Sequence, residues 1–516
     1  MDVKKFVKFH FICRMIEKKS IWSIITASSL GTVIEWYDFY IFGSLAPIIA
    51  TQFFPKENPT AAFLATLAAF GVGFVIRPFG ALVFGRLGDL MGRKSTFLLT
   101  LILMGVSTFA IGLIPSYETI GILAPIIVFV LRAVQGLALG GEYGGAAIYV
   151  AEHAPEGKKG YFTSFIQTTA TFGLLLSLAV ILLCKYFVPE GQFEVWGWRL
   201  PFLVSVILVV VSYFIRTKMD ESPVFQQMKA AGKTAKNPLK ESFTKWRNLR
   251  LVLIALFGAA AGQGVIWYTG QFYAMNFSIK TLHIQEDQIQ YMLIPVLLLA
   301  TPFFIVFAKL SDRIGRKKVM MTGVLLAILL FIPIYKQMSA LADWRSWEQN
   351  PEHYHTQTFY KESESKSGSN SGSVTVTNKT SYINGCKRIE TMKLANSSKG
   401  KNAVETKQQI HLSSSKIFYL GFLIFIQLLF VCMVYGPIAA FLVELFPPEI
   451  RYTSLSLPYH IGNGVFGGLT PLIAEVLVLK YNNPLAGLWY PITIGAITFI
   501  VGMIFLTSSK NSVTSE

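Results

Sequence analysis

The sequence predicts an all-α integral membrane protein: twelve transmembrane helices in two pseudo-symmetric six-helix bundles. Three observations lead there. Of its 516 residues, 53% are hydrophobic and only 15% charged, a balance foreign to soluble domains of this length. The apolar residues fall into runs of about 20 or more, the length that crosses a bilayer core. A decapeptide, GRLGDLMGRK from Gly85, stands again as AKLSDRIGRK from Ala308, at equivalent places in two hydrophobic halves. The chain is therefore one plan used twice.

The first half supplies segments 24–54, 60–84, 96–114, 119–150, 161–187 and 198–215, here helices 1 to 6. The second supplies 251–277, 288–307, 319–337, 417–445, 454–479 and 488–506, helices 7 to 12. A polar, Lys-rich stretch separates them, which divides the chain into an N-terminal bundle (1–216), a linker (217–248) and a C-terminal bundle (249–516). The formal charge is +17, but the basic residues gather in short connections rather than in one patch. That is the positive-inside pattern of a multi-pass protein in a cell (inner) membrane, and no nucleic-acid partner is implied. It puts both decapeptide hairpins, the Lys158–Lys159 turn, the linker, the Arg451 turn and both termini in the cytoplasm. Residues 1–20 lack a long apolar core and a small-residue cleavage site, so they read as a retained cytoplasmic segment.

A second echo locates an insertion. Glu152, Pro155 and Lys159 after helix 4 have the spacing of Glu444, Pro447 and Arg451 after helix 10. The hairpins are offset by 223 positions (308 less 85) and this pair by 292 (444 less 152). The surplus of 69 matches residues 339–415, rich in Ser, Asn, Thr, Lys and Gly, which are expected to form an extracytoplasmic and largely disordered loop. Asn378 and Asn396 head glycosylation triplets there, of a kind that such composition produces by chance. Four scattered cysteines (Cys13, Cys184, Cys386, Cys432) suggest neither a metal site nor a disulfide framework, and Cys184 and Cys432 read as packing residues.

An ionisable side chain at mid-bilayer costs at least ~2.5 kcal/mol, so each one needs a reason. Helix 1 carries Glu35 and Asp38 on one face, and helix 4 carries Arg132, Gln135 and, nearer the cytoplasm, Glu142. A structural ion pair between the helices is one reading. A proton-coupling group of Glu35, Asp38, Arg132 and Glu142 is the other, because a carboxyl that alternates between a dry site and water, or between no cation and an arginine, binds and releases a proton. Arg77 in helix 2, Gln135, Gln263, Trp267, Tyr268 and Gln271 in helix 7 and Tyr435 in helix 10 are the candidate solute-binding residues, for a cavity with charge on one wall and amide, hydroxyl and aromatic groups on the other. Lipid snorkelling for Arg77 and plain interhelical bonding for the amides compete with that role. Gln427, His460 and Asn463 read as interhelical, and Arg199, beside Trp196 and Trp198, as an interfacial anchor. Small residues in helices 4 and 11 permit close helix contact. Asp89, Arg93 and Lys94, with Asp312, Arg316 and Lys317, are candidate gating residues together with Glu152, Glu444 and Arg451, since topogenesis needs basic residues but no aspartate.

These motifs resemble the major facilitator superfamily and, within it, the metabolite:proton symporter family. GRLGDLMGRK is similar to the superfamily's loop 2–3 motif, and RAVQGLALGG from Arg132 to its helix 4 motif, whose arginine is associated with proton coupling. EWYDF at Glu35, RPFG at Arg77, GGEYGGA at Gly140 and WGWRLPF at Trp196 resemble the narrower family. The resemblance covers nearly all of the chain outside the insertion. It implies two six-helix bundles around a central cavity and inward symport of protons with a small organic solute, such as a dicarboxylate, a shikimate-like acid, proline or betaine. Two features depart from other branches: helix 5 lacks the Gly-Pro motif of drug antiporters, and no heptad pattern follows Leu506. Ala308 in place of Gly85 implies a looser helix contact at the second hairpin. The implied partners are the solute, protons and the bilayer, the expected state is a monomer, and the energy source is the proton gradient with no cofactor or metal. The alternative is a sensor that binds the solute without moving it. No nucleophile–base pair, HExxH or phosphate loop points to an enzyme or a primary pump.

Overall fold

The structure, a computed structural model, describes residues 21–506 other than 56, 190, 218–219, 349–353, 364–372 and 396–402. The reading of residues 1–20, with Cys13, and the Asn396 triplet lie outside the described residues. Among the described residues eleven helices are long and apolar enough to cross a membrane. Helix 1 completes the twelve as a broken span, Ile21–Ser44 and Ala46–Phe53, bent by 65° where Pro47 enters the second piece at its first turn. The others run Pro59–Met91, then Arg93–Leu113, Leu123–His153, Lys159–Phe187, Arg199–Thr217, Trp246–Thr281, Glu286–Ile314, Arg316–Leu341, Ser414–Leu445, Arg451–Tyr481 and Ala486–Phe505.

Their faces follow the bilayer. On helix 2, Val75, Phe79 and Val83 recur every fourth residue and are exposed, a stripe suited to lipid. The opposite face meets helix 4 so closely that a Cβ at Gly136 would strike the backbone of Gly73, and one at Gly140 that of Arg77. Helix 7 contains three π-helical turns, Leu256–Ala260, Thr269–Tyr273 and Phe277–Thr281, and helix 11 one, Ile461–Gly467. Such turns re-aim side chains and frequent functional sites. Cys184 and Cys432 are buried. Arg199 is more than an interfacial anchor: its guanidinium donates to Gly112 O (2.9 Å) and Ile114 O (2.5 Å), closing the end of helix 3.

The linker holds two short helices, Pro223–Ala230 and Pro238–Thr244. Each starts on an N-cap followed by proline: Ser222 accepts from Phe225 N (3.1 Å) and Asn237 from Lys240 N (3.2 Å).

The insertion corrects the expectation of a disordered loop, and it qualifies the all-α reading. It folds as an antiparallel meander, β1 (Tyr354–Ser363), β2 (Ser373–Tyr382), β3 (Lys387–Ala395) and β4 (Ala403–His411), in the order β1-β2-β3-β4. The β2–β3 turn contains Asn384-Gly385, with Gly385 at φ 77°, and the Asn384 side chain accepts from Cys386 N (3.0 Å). An Asn-Gly pair is a hairpin signal, and strands of nine to ten residues flank it. Overall polarity masks it, because a polar meander needs little apolar alternation when its base is nailed down by a few large groups. Here Trp347, Tyr354 and Tyr382 do that. The helical scaffold thus has two ends, one carrying the two hairpins and one carrying the meander.

Candidate functional site

The hairpin end shows what the decapeptides do. Gly92 (φ 110°) and Gly315 (φ 100°) turn helix 2 into 3 and helix 8 into 9 in backbone conformations that side chains rarely adopt. The turn leaves each aspartate facing the other half. Asp89 accepts from Tyr452 N (3.1 Å) and Thr453 N (2.9 Å) at the start of helix 11. Asp312 accepts from Gly160 N (2.9 Å) and Tyr161 N (2.8 Å) at the start of helix 5. Each carboxylate therefore caps a helix N-terminus across the seam, where orphan N–H groups and the helix dipole favour an anion. The lysines are equally symmetric. Lys94 Nζ donates to Thr217 O (2.9 Å) at the end of helix 6, and Lys317 Nζ to Met503 O (2.8 Å) and Leu506 O (2.7 Å) at the end of helix 12.

The remaining gating candidates complete this end. Arg451 Nη1 reaches Glu152 Oε1 at 2.8 Å across the halves, while Arg316 forks onto Glu444 within its own half (2.8 and 2.9 Å). Glu221 of the linker was not singled out in the sequence. Its carboxylate accepts from Arg93 N (3.0 Å) and Lys94 N (3.2 Å), supplying the helix cap that Gly92 lacks. Ala308 does not loosen the second hairpin as expected: it is fully buried, and the small residue opposite it is Gly160, whose added Cβ would lie 2.8 Å from Ala308 O.

Deeper in the scaffold, Glu35, Asp38, Arg77, Arg132 and Gln135 share one cavity, closed with Phe70 and Phe74. Arg132 does not pair directly with Asp38. A relay joins them: Arg132 Nη1 donates to Gln135 Oε1 (2.9 Å), Gln135 Nε2 to Thr108 Oγ1 (2.6 Å), and Thr108 Oγ1 to Asp38 Oδ2 (2.8 Å). The guanidinium sits over Phe42, 4.1 Å from its ring centre. Thr108 in helix 3 is a residue sequence reasoning missed; a lone threonine in an apolar run gives no signal. Arg77 faces inward, 4.4 Å from the Phe74 ring centre, rather than toward lipid phosphate. Among the described residues Glu35 Oε2, Asp38 Oδ1 and Arg77 Nε are buried without a hydrogen-bond partner.

An adjoining cavity of about 30 Å³ is walled by both halves: Glu35, Arg77 and Tyr143 from one, Trp267, Tyr268 and Tyr435 from the other. Gln271 and Trp267 line a third, of about 10 Å³. Each has room for little more than a water molecule, so the centre is occluded. Rings close it: Tyr143 stacks on Tyr459 at 3.7 Å, and Trp36 meets Trp267 at 5.9 Å.

Two candidates fall elsewhere. Glu142 is bound by Arg216 and Thr100 Oγ1 (2.9 Å) inside the N-terminal half and does not line the cavity that the other three coupling candidates share. Gln263 exchanges both amide bonds with Asn463 (3.0 and 2.9 Å), so it joins helix 7 to helix 11. Asn463 thus makes the interhelical bond expected of it, and both it and His460 also line the central cavity. Gln427 does stay interhelical, at 3.6 Å from Met338 Sδ.

Comparison with known proteins agrees with this arrangement. Residues 23–349 match the family model described as sugar (and other) transporter. The inner membrane metabolite transport protein YhjE of Escherichia coli (strain K12) is 31% identical over 471 residues, 90% of each chain. The chain belongs to the major facilitator superfamily. It falls within that superfamily's metabolite:proton symporter family, and it is a transporter rather than an enzyme. The shikimate transporter of the same organism is 37% identical over 316 residues, 61% of this chain and 72% of that one. The proton:xylose symporter XylE, solved with 6-bromo-6-deoxy-D-glucose, superposes over 94% of this chain and 96% of its own with a TM-score of 0.66 and 16% identity. This major facilitator is thus a multi-pass membrane protein of two six-helix bundles.

Proposed function

We propose that this chain is a proton-coupled symporter that imports a small organic carboxylate or zwitterion. The hairpin end faces the cytoplasm, with both termini, and the meander faces outward. The bundles 1–216 and 249–516 rock about the central cavity on the linker 217–248. The observation that carries the reading is the occluded cluster of Glu35, Asp38, Arg77 and Arg132, in which two carboxylate oxygens have no hydrogen-bond partner among the described residues. An unpaired carboxylate in a closed apolar site is costly, and a proton removes that cost. When the bundles part, water or the solute supplies the missing partner and the proton leaves. Arg77, shared by two cavities, suits a solute carboxylate. The aromatic wall of Trp267, Tyr268 and Tyr435 suits a ring or a quaternary ammonium. Relatives named as shikimate, proline/betaine and alpha-ketoglutarate carriers support that solute range.

The test is uptake into vesicles containing the purified protein. Labelled shikimate, 2-oxoglutarate, proline and betaine are offered with an inward proton gradient. At least one accumulates, the accumulation collapses with a protonophore, and Glu35→Gln or Asp38→Asn abolishes uphill uptake while exchange persists. Uptake that still follows the imposed gradient in both variants removes these acids from the coupling role.

A further inference from the structure

The meander is not tethered by its ends alone. Ile410 N of β4 donates to His283 O (2.7 Å), and Gln285 N donates to Ile410 O (2.9 Å) in the loop after helix 7. Gln288 of helix 8 clasps Leu412 through both of its amide atoms (2.6 and 2.9 Å). This seam holds β4 beside the ends of helices 7 and 9, and between them lies a cavity of about 510 Å³. That is the volume of a small-molecule site, whereas the central cavities are shut.

Its lining is chemically specific. Gln408 of β4 contributes an amide whose Nε2 is buried and, among the described residues, has no partner. An orphaned donor on a side chain that lines a large cavity is a place for an acceptor, reached by a small turn of the amide. Arg345 and His283 add a guanidinium and an imidazole, and Ser339 a hydroxyl. His283 is a non-glycine residue in the left-handed region (φ 56°), a strained conformation of the kind found at ligand-holding positions. Asp343 is the one acid in the lining, and Trp344 forms an apolar wall, backed by the Arg388 guanidinium at 3.9 Å from its ring centre.

We propose that this cavity is a second binding site, distinct from the central one, for a small hydroxylated carboxylate. Arg345 and the Gln408 amide take the carboxylate, Asp343 and Ser339 the hydroxyls, and Trp344 the carbon skeleton. The site is built by the insertion and does not depend on the central cluster, so it stands whether or not the chain moves protons.

Calorimetric titration of the full-length protein in lipid nanodiscs tests it, with gluconate and quinate as probes and myo-inositol as a polyol without the acid. Wild-type protein binds at least one of the acids saturably and binds myo-inositol at least tenfold more weakly. Gln408→Glu, which sets a like charge against the carboxylate, and Arg345→Ala, at an exposed position, each weaken binding at least tenfold. Arg77→Ala in the central cluster leaves this binding within twofold, which separates the two sites. Absence of saturable binding by both acids, equal binding of myo-inositol, or binding indifferent to both Gln408→Glu and Arg345→Ala overturns the proposal.

Discussion

The two hairpins carry nearly the same ten residues and hold the halves together differently. At the first, the aspartate, its arginine and the neighbouring glutamate all engage the other half. Asp89 caps helix 11, Arg93 Nη2 donates to Pro448 O (3.0 Å), and Glu152, at 3.8 Å from Arg93 Nε, is gripped by Arg451 from the other half. Asp89 and Arg93 are wholly buried. At the second, among the described residues, Asp312 makes the crossing hydrogen bonds and Lys309 adds only a distant approach to the Tyr161 ring (5.9 Å). Arg316 bonds Asp312 (2.8 Å) and Glu444 within its own half, and Glu444 is 39% exposed. The position matching Arg451 is Lys159, a point charge in place of a planar fork. A repeated motif therefore fixes the geometry of the turn and its aspartate, while the surrounding residues set how firmly the seam is shut. The first hairpin is the main lock and the second the lighter catch.

That difference can be broken in steps. Each is read as the rate at which a hairpin-side, membrane-impermeant reagent alkylates a cysteine placed at Gln135 in a cysteine-free background. Asp89→Ala has the largest effect. It strips two buried N–H groups of their acceptor and removes one of the two acids beside buried Arg93, leaving Glu152 at 3.8 Å; breaking a buried network of this kind costs the closed form about 3–5 kcal/mol, so labelling rises more than about 100-fold. Gly85→Ala comes next: a Cβ there would lie 2.9 Å from Thr453 Cα, a backbone atom that has little freedom to retreat, and overpacking of this kind costs about 1–3 kcal/mol. Asp312→Ala follows at about 1 kcal/mol, because Glu444 still pairs with Arg316 and no charge is left without its acid. Glu444→Gln is smallest, under about 0.5 kcal/mol, as expected of an exposed pair. Equal effects of Asp89→Ala and Asp312→Ala would erase the distinction between lock and catch.

The hairpins were also the most legible part of the sequence. The offsets of 223 and 292 reappear in space: Asp312 stands to Asp89 as residue 312 to 89, and Tyr452 stands to Gly160 as 452 to 160. The repeat was readable because a covalent turn and a helix cap are local chemistry, copied whole with the half that contains them. Residues whose partners come from distant helices were not. Glu142 follows Arg132 along helix 4, yet its ion-pair partner is Arg216 at the end of helix 6, which helix 4 alone does not reveal. Gln263, read as a solute ligand, and Asn463, read as interhelical, exchange amide bonds with one another, a pairing that neither helix face shows by itself. The meander was hidden by its composition, since Ser-, Asn- and Lys-rich strands resemble a solvated loop until a docking seam is supplied by helices 7 and 8.

Lock and catch matter only if what they enclose is a proton-loading site. Vesicles are prepared with a pH-sensitive dye in the lumen and no initial pH difference, and a gradient of a solute shown to be carried is then applied. Luminal acidification in step with solute entry, lost in Glu35→Gln and Asp38→Asn, is the expected result; solute entry at full rate with luminal pH unchanged would contradict it.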